Sequence, residues 1–364
     1  MENGAQKHEF PCESCGASLE FTPGTDSLTC PYCAHVQAVP DSGVAVVERD
    51  FHDAVRNARR TKAKDLAKSA HEIRCTGCGA VSITDKQADH CPFCGSPVVV
   101  EAGDEEVFVP ESVLPFAVDE RTAKETFKGW VARLWFAPSD LKGLARQQRI
   151  DGVYLPHWTY DSQTQTRYRG QRGEHYYDTE YYTDSEGKRQ SRQVRKTRWW
   201  PASGSVQVPF DDVLVCASES LPEWLVRRLE PWDLPALKPY EPAYLAGFSA
   251  ERYQVDLEQG FEVAQGRMAP AIQEAIRRDI GGDEQRITWS KTRYYSITFK
   301  HFLLPLWISS FRYNEKVYRF VVNARTGEPA GERPWSWIKI TLAALAVVAI
   351  IGVIVYLVMS SQSA

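Results

Sequence analysis

Eight of the nine cysteines fall in four Cys-x-x-Cys pairs, which constrain the first hundred residues more tightly than anything else in the chain. "CESCG" and "CPYCA" supply Cys12, Cys15, Cys30 and Cys33; "CTGCG" and "CPFCG" supply Cys75, Cys78, Cys91 and Cys94. Two intervening residues let both thiolates of a knuckle turn toward one metal ion. In three of the four knuckles a Gly follows the second Cys and offers the positive φ such a turn wants; Ala34 is the exception. Fourteen residues separate the knuckles of the first set and twelve those of the second, room for a short β-hairpin that brings each pair face to face. Four thiolates at tetrahedral distances suit Zn²⁺ and leave no open position for water, so the expected role is structural, not catalytic. An iron–sulfur cluster or a redox dithiol is the competing reading. The two sets repeat at an offset of 61 to 63 residues, an internal duplication. The opening "MENGAQKHEF" has no apolar core of the kind a secretory signal needs, so the pairs read as metal ligands rather than a disulfide framework. His35 and His90 beside the knuckles read as solvated surface residues.

Charge then bears on what zinc ribbons would touch. Formal net charge over the chain is −4, and residues 1–100 hold 10 Lys and Arg against 13 Asp and Glu. Each ionised four-thiolate Zn²⁺ centre adds about −2, so the module has the wrong sign for phosphates. Residues 49–68 are locally basic, with seven cations against three acids. They read as a helical linker offering Phe51, Val55 and Leu66 to one face.

After a short acidic linker at 101–108, the chain from Val113 to about 330 reads as one α+β body. Ala123, Phe127, Val131 and Leu134 recur at helical spacing behind Asp119, and "LKGLARQQ" at 141–148 reads as a second short helix. "GVYLPHWTYD" at 152–161 is a strand. A similar order returns later: a helical stretch at 256–280, interrupted near Pro270 and ended by Gly281-Gly282, then strands through "TFKHFLLPLWISSFRY". Leu155-Pro156-His157-Trp158 against Leu304-Pro305-Leu306-Trp307 marks a tandem duplication, and a Pro within each strand implies an edge or a bulge. Between the halves, "DSEG" at 184–187 turns a hairpin whose arms are polar on both faces, so it is expected to project. Its cations (Lys188, Arg189, Arg192, Arg195, Lys196, Arg198) and aromatics (Tyr176, Tyr177, Tyr181, Tyr182) read first as partners of one another across the strands. A protein, lipid-headgroup or single-stranded nucleic-acid surface is the alternative.

Catalytic motifs are missing: no GxxxxGK[ST], GxSxG, HExxH or kinase set occurs. Asp211 and Asp212, adjacent on a strand, point to opposite faces and read as turn or cap residues. Cys216 reads as a small core residue. His157, His175 and Asp161 are the residues an unrecognised hydrolase would use.

Ile338–Met359 is an uncharged apolar run but for Lys339, and at helical rise its 22 residues span roughly 33 Å, enough to cross a bilayer core. Trp335 and Trp337 stand where an interfacial belt belongs. Arg333 and Lys339 flank one end only, which keeps residues 1–334 cytoplasmic.

The fold class expected is therefore α+β: zinc ribbons at 8–40 and 71–100, a helical linker at 41–70, a duplicated body at 113–334 with a projecting β-hairpin, and a transmembrane helix at 338–359. The double ribbon, followed by "WFAPSDLKGLARQQRIDGVYLPHWTYD", "FDDVLVCASESLP", "YLAGFSAERYQVDLEQGF", "RRDIGGDEQRI" and the C-terminal span, resembles a family of bacterial membrane proteins with TFIIB-type zinc ribbons. Members are often labelled primosomal protein N′ or superfamily II helicase, but only the knuckles are similar to true primosomal helicases and no helicase ATPase motif is present. The resemblance extends to zinc-ribbon membrane anchors found with phage shock protein A and SPFH/flotillin-like proteins. It implies recruitment of such soluble partners to the inner face of the membrane in membrane stress. The closed metal sites, the absent catalytic motifs and the C-terminal span add the expectation of a tail-anchored, non-enzymatic scaffold with the ribbons as a rigid docking arm. The resemblance carries over the eight ribbon cysteines and no catalytic residue. A zinc-ribbon nucleic-acid-binding protein linked to DNA replication is the alternative.

Overall fold

The computed structural model describes residues 10–362 apart from 41–42, 44–45, 59–70, 76, 85–89, 97–98, 101–109, 139–148, 184, 186 and 315. The expected helix at 141–148, the acidic linker and the second half of the basic linker lie outside the described residues. The fold is mixed α+β, as expected. Strands β1 (Glu20–Phe21), β2 (Ser27–Thr29) and β3 (Val36–Ala38) form a small sheet of their own in the first cysteine module. Strand β4 (Arg49–Asp50) leads into helix α1 (Phe51–Ala58), and β5 (His71–Arg74), β6 (Val81–Thr84) and β7 (Val99–Val100) belong to the second module. The body follows as β8 (Ser112–Val113), α2 (Glu120–Ala132), β9 (Asp151–Thr183), β10 (Arg189–Cys216), α3 (Glu223–Arg227), β11 (Lys238–Pro239), β12 (Ser249–Glu251), α4 (Leu257–Ile280), β13 (Glu284–Tyr313), β14 (Lys316–Asn323) and β15 (Pro329–Gly331). Helix α5 (Trp337–Gln362) ends the described chain.

The two LPxW segments lie side by side. Strands β9 and β13 run antiparallel with Leu155 opposite Leu304, so each copy's Leu faces the other's. Around this seam the halves match contact for contact. The short strand β12 pairs parallel with β9 through Ser249↔Val153 and Ala250↔Tyr154; β8 pairs parallel with β13 through Ser112↔Phe302 and Val113↔Leu303. The indole N–H of Trp158 donates to the Val255 carbonyl at 2.9 Å, and that of Trp307 to the Val118 carbonyl at 2.8 Å. Asp119 and Asp256 cap their helices alike, accepting from the N–H of Thr122 and Gln259 at 2.8 Å each. The Ala217 N–H bonds to the Pro156 carbonyl as the Ala324 N–H bonds to that of Pro305.

The same arrangement explains the two prolines. Neither is at an edge or in a bulge, as their sequence context suggested; both sit in the central strands. Beside Pro156, the neighbour of β9 changes from β12, which ends opposite Tyr154, to β10, which begins opposite His157. Beside Pro305, the neighbour of β13 changes from β8 to β14, which begins opposite Leu306. A residue with no N–H to give is tolerated where one ladder has stopped and the next has not started.

Helices α2 and α4 cover one face of this sheet, each crossing to the other half. Helix α2, from the first half, packs Phe127 and Trp130 on Phe320 of β14, at ring separations of 4.4 and 5.0 Å. Helix α4, from the second, lies on β9 and β10: its Leu257 carbonyl accepts from Tyr160 Oη, and Arg267 reaches the Leu214 carbonyl. Gly260 permits the approach, because a Cβ there would fall 2.3 Å from Tyr160 Oη. Pro270 does not interrupt α4, contrary to expectation; the buried row Phe261, Ala264, Met268, Ile272 and Ile276 holds the helix to the sheet on both sides of it. The opposite face packs Val153, Leu155, Leu306 and Ile308 under α3 and the second cysteine module. With both faces covered, residues 153–162 of β9 are buried without alternation, and alternation begins only beyond them.

Strand β13 accompanies β9 as far as Gly173, opposite Glu284. Past it, β9 and β10 continue alone as a two-stranded ribbon to Thr183 and Arg189, the projecting hairpin expected. Its charges and rings engage one another: Lys196 contacts Asp178 and Glu180 at 2.8 and 3.3 Å, and Arg189, Arg192 and Arg198 lie over Tyr181, Tyr182 and Tyr176 at 4.9, 5.7 and 5.0 Å.

Two predictions follow from the paired halves. Because the caps are equivalent, Asp119→Ala and Asp256→Ala are each expected to cost about 1 kcal/mol in urea unfolding; a cost at only one of them would contradict the equivalence. His157 has Leu306 as its counterpart. Burial holds its imidazole down to about 4 from an ordinary 6.5, with Nδ1 on the Leu155 carbonyl at 3.0 Å and Nε2 without a partner. A depressed imidazole favours the fold above pH 6.5, and that contribution, on the order of 3 kcal/mol, is lost as pH falls toward 4. His157→Leu should flatten stability over that window; an unchanged acid slope would refute the assignment.

Candidate metal centres

All eight predicted ligands are brought together, in two quartets. Within each set the four sulfurs lie within 4.8 Å of one another. Across the first, Cys12 and Cys33 are 3.5 Å apart, as are Cys15 and Cys30; across the second, Cys75–Cys94 is 3.5 Å and Cys78–Cys91 3.7 Å. Local backbone chemistry builds each knuckle the same way. The residue after the second cysteine returns its N–H to the carbonyl of the first: Gly16 to Cys12, Ala34 to Cys30, Gly79 to Cys75 and Gly95 to Cys91, all at 2.8–3.0 Å. That closure needs positive φ, found at 74° for Gly16, 77° for Gly79 and 70° for Gly95. Ala34 takes it at 58° despite its Cβ, a local strain the closed turn sustains.

The thiols also control one another's protons. The contact with Cys91 holds Cys78 down to about 5, and the same contact, with burial, pushes Cys91 far above the ordinary thiol range. Cys30 is held to about 7, chiefly by the N–H of Cys33. Two such quartets could each hold a metal ion, and neither offers a non-cysteine ligand.

Neither module is a free arm, contrary to the docking-arm expectation. The first buries Leu19, Phe21 and Leu28 in the core that contains Phe116, Phe127 and Trp307, with the Phe21 ring 5.3 Å from Tyr244. Its backbone joins in: Phe21 N–H to the Ala246 carbonyl and Gly24 N–H to that of Phe116. The second is tied more deeply. Strand β6 pairs with β12, extending the body's own sheet through Ala250↔Ile83 and Glu251↔Ser82. Phe93, fully buried, packs with Leu221 and Leu225, and its carbonyl accepts from Arg319 Nε at 3.0 Å. His90 is not a solvated surface residue: it bonds Asp151 at 3.0 Å and fastens the knuckle to the start of β9.

Outside the quartets, the sequence-derived candidates separate. His157 and His175 lie 18 residues apart on one strand, roughly 60 Å. His175 is held by Glu284 at 2.8 Å, while Asp161 accepts from the Asp212 N–H and from Thr298. Cys216 is half-buried against the core rather than within it, and burial pushes its thiol up to about 12. Missed in the sequence is a second grouping. A bulge between Phe210 and Val213 breaks the alternation of Asp211 and Asp212 and brings Asp211 within 4.8 Å of Glu48 and Asp161. Burial raises Asp161 to about 6, and Lys300 answers the cluster at 3.1 Å from Glu48 and 2.7 Å from Asp212. With that ammonium present, the acids form a charge network.

No family model and no solved structure matches the chain. It is similar to the uncharacterized protein YdjG of Bacillus subtilis (strain 168), 26% identical over 335 residues that cover 90% of each chain.

The depth of each module sets the cost of opening its quartet. Cys91→Ser, in the module that shares the body sheet, is expected to lower unfolding free energy by more than about 4 kcal/mol. Cys15→Ser, on the exposed rim of the first module, should cost clearly less. Equal losses by denaturant titration would show that the two modules are integrated alike.

Proposed function

We propose that the chain is a membrane-anchored, non-enzymatic zinc-ribbon scaffold that recruits a soluble partner of the SPFH/flotillin-like or phage-shock type to the inner membrane under membrane stress. The observation that carries the reading is α5. Its 20-residue stretch Trp337–Tyr356 is long and apolar enough to cross a bilayer, and none of it is buried against the rest of the protein. An apolar helix of about 30 Å that the body leaves uncovered needs a non-aqueous environment. Arg333 and Lys339 at its first end favour a cytoplasmic body. In each quartet four thiolates suit Zn²⁺, and the lack of an open coordination position fits a structural ion. The ribbon beyond Gly173, with Tyr177 and Tyr181 exposed, is the recruiting surface in this reading.

The replication-linked, nucleic-acid alternative has less support. Arg189, Arg192 and Arg198 of the hairpin are engaged with tyrosines and a carboxylate of the neighbouring strand, and a phosphate backbone would have to compete for them.

Full-length protein purified in detergent is expected to hold two zinc ions per chain by elemental analysis, and its native form should stay with membranes through alkaline carbonate extraction. In-cell crosslinking should capture one soluble protein reproducibly. Folded but metal-free material, or protein wholly in the carbonate supernatant, would end this reading. Salt-dependent DNA or RNA binding abolished by neutralising Arg192, Arg195 and Arg198 would favour the alternative.

A further inference from the structure

The root of α5 is fastened to a loop about two hundred residues earlier in the chain. Helix α2 ends at Ala132 with Arg133 as its C-cap, and the turn after it buries Leu134 and Ala137 in the core beside Val131. The two residues between them are thrown outward: Trp135 is 83% exposed and Phe136 39%. The Phe136 carbonyl accepts the Ser336 N–H at 2.7 Å, and the Ala137 carbonyl accepts from Lys339 Nζ at 2.7 Å. Ser336 and Lys339 form the first turn of α5, where the Ile340 N–H returns to the Ser336 carbonyl. The loop is therefore held level with the point where the apolar helix begins. Trp337 is 76% exposed on that helix, and Trp335 stands before it with Arg333 4.1 Å over its ring.

We propose that Trp135 and Phe136 form a second membrane contact, entering the headgroup region of the leaflet that α5 enters, so that the body is docked on the bilayer at two points. This rests on α5 crossing the membrane. Four large aromatics stand near the root of α5: two come from the tail, and two come from a turn bonded to that root, whose neighbours are locked in the core. Indole rings favour that depth, where the ring sits among acyl carbons and the N–H meets water and headgroups. Exposure of a Trp at 83% in water is unfavourable by its apolar area, and a bilayer surface reached by α5 removes that exposure without any change in the fold. The attachment favours the contact: the backbone bond from Ser336 to Phe136 keeps the loop beside the root of α5.

Site-specific photocrosslinking tests this with the full chain in vesicles of phosphatidylethanolamine and phosphatidylglycerol. p-Benzoylphenylalanine is placed in turn at position 135, at 337, and at 177 on the distant ribbon. All three side chains are exposed, so the fold is not at risk. The expected result is a lipid adduct at 135 within about threefold of that at 337 and at least tenfold above that at 177. An adduct at 337 with position 135 no higher than 177 would overturn the second contact and leave the anchor standing. Absence of lipid adducts at both 135 and 337 would overturn the anchor and the contact together.

Discussion

Everything in the body depends on the antiparallel seam between β9 and β13. Where Leu155 meets Leu304, two similar strands lie in opposite directions, and each supplies the other with a neighbour that no local turn could provide. The seam sets the register of the whole sheet. A slip of one residue would rotate Trp158 and Trp307 away from the carbonyls that accept their indole N–H groups, and would turn the fully buried Tyr154 and Phe299 onto the wrong face. Buried polar groups thus specify the alignment, while apolar burial on both faces supplies most of its stability.

The cysteine modules serve this body rather than stand apart from it. In the first, the hairpin between the knuckles projects Phe21 and Leu28 into the core beneath α2. In the second, β5 and β6, which flank the first knuckle, become part of the main sheet, and Phe93 closes the face opposite α2 and α4. A metal ion in either quartet would fix a strand pair too short to persist alone, and the body then uses that pair as an edge or a lid.

Much of this was legible in residue order and some was not. The quartets were readable because Cys-x-x-Cys chemistry is local: spacing, turn and ligand set occupy adjacent positions. Helix α2 was readable from Asp119 and the periodic Ala123, Phe127 and Val131. The LPxW repeat announced a duplication. Its remaining equivalences, such as Phe116 with Tyr253 beside the two tryptophans, were hidden because different side chains do the same work. Pro156 and Pro305 misled because the effect of a strand proline depends on which neighbour needs its missing N–H, and that neighbour comes from elsewhere in the chain. Pro270 misled because the buried row on either side of it holds the helix together through tertiary packing. The grouping of Asp211 with Glu48 and Asp161 was invisible because a bulge, which leaves no periodic trace, creates it.

The crossing of the helices also says something about ancestry and assembly. The helix that opens the first half finds its seat on β14, and the one that opens the second finds its seat on β9 and β10. Neither half can bury its own helix on its own strands in the same way. A chain carrying a single half would meet the missing seat on a second molecule, so the present chain has the geometry of a reciprocally exchanged dimer whose two subunits have been fused into one polypeptide.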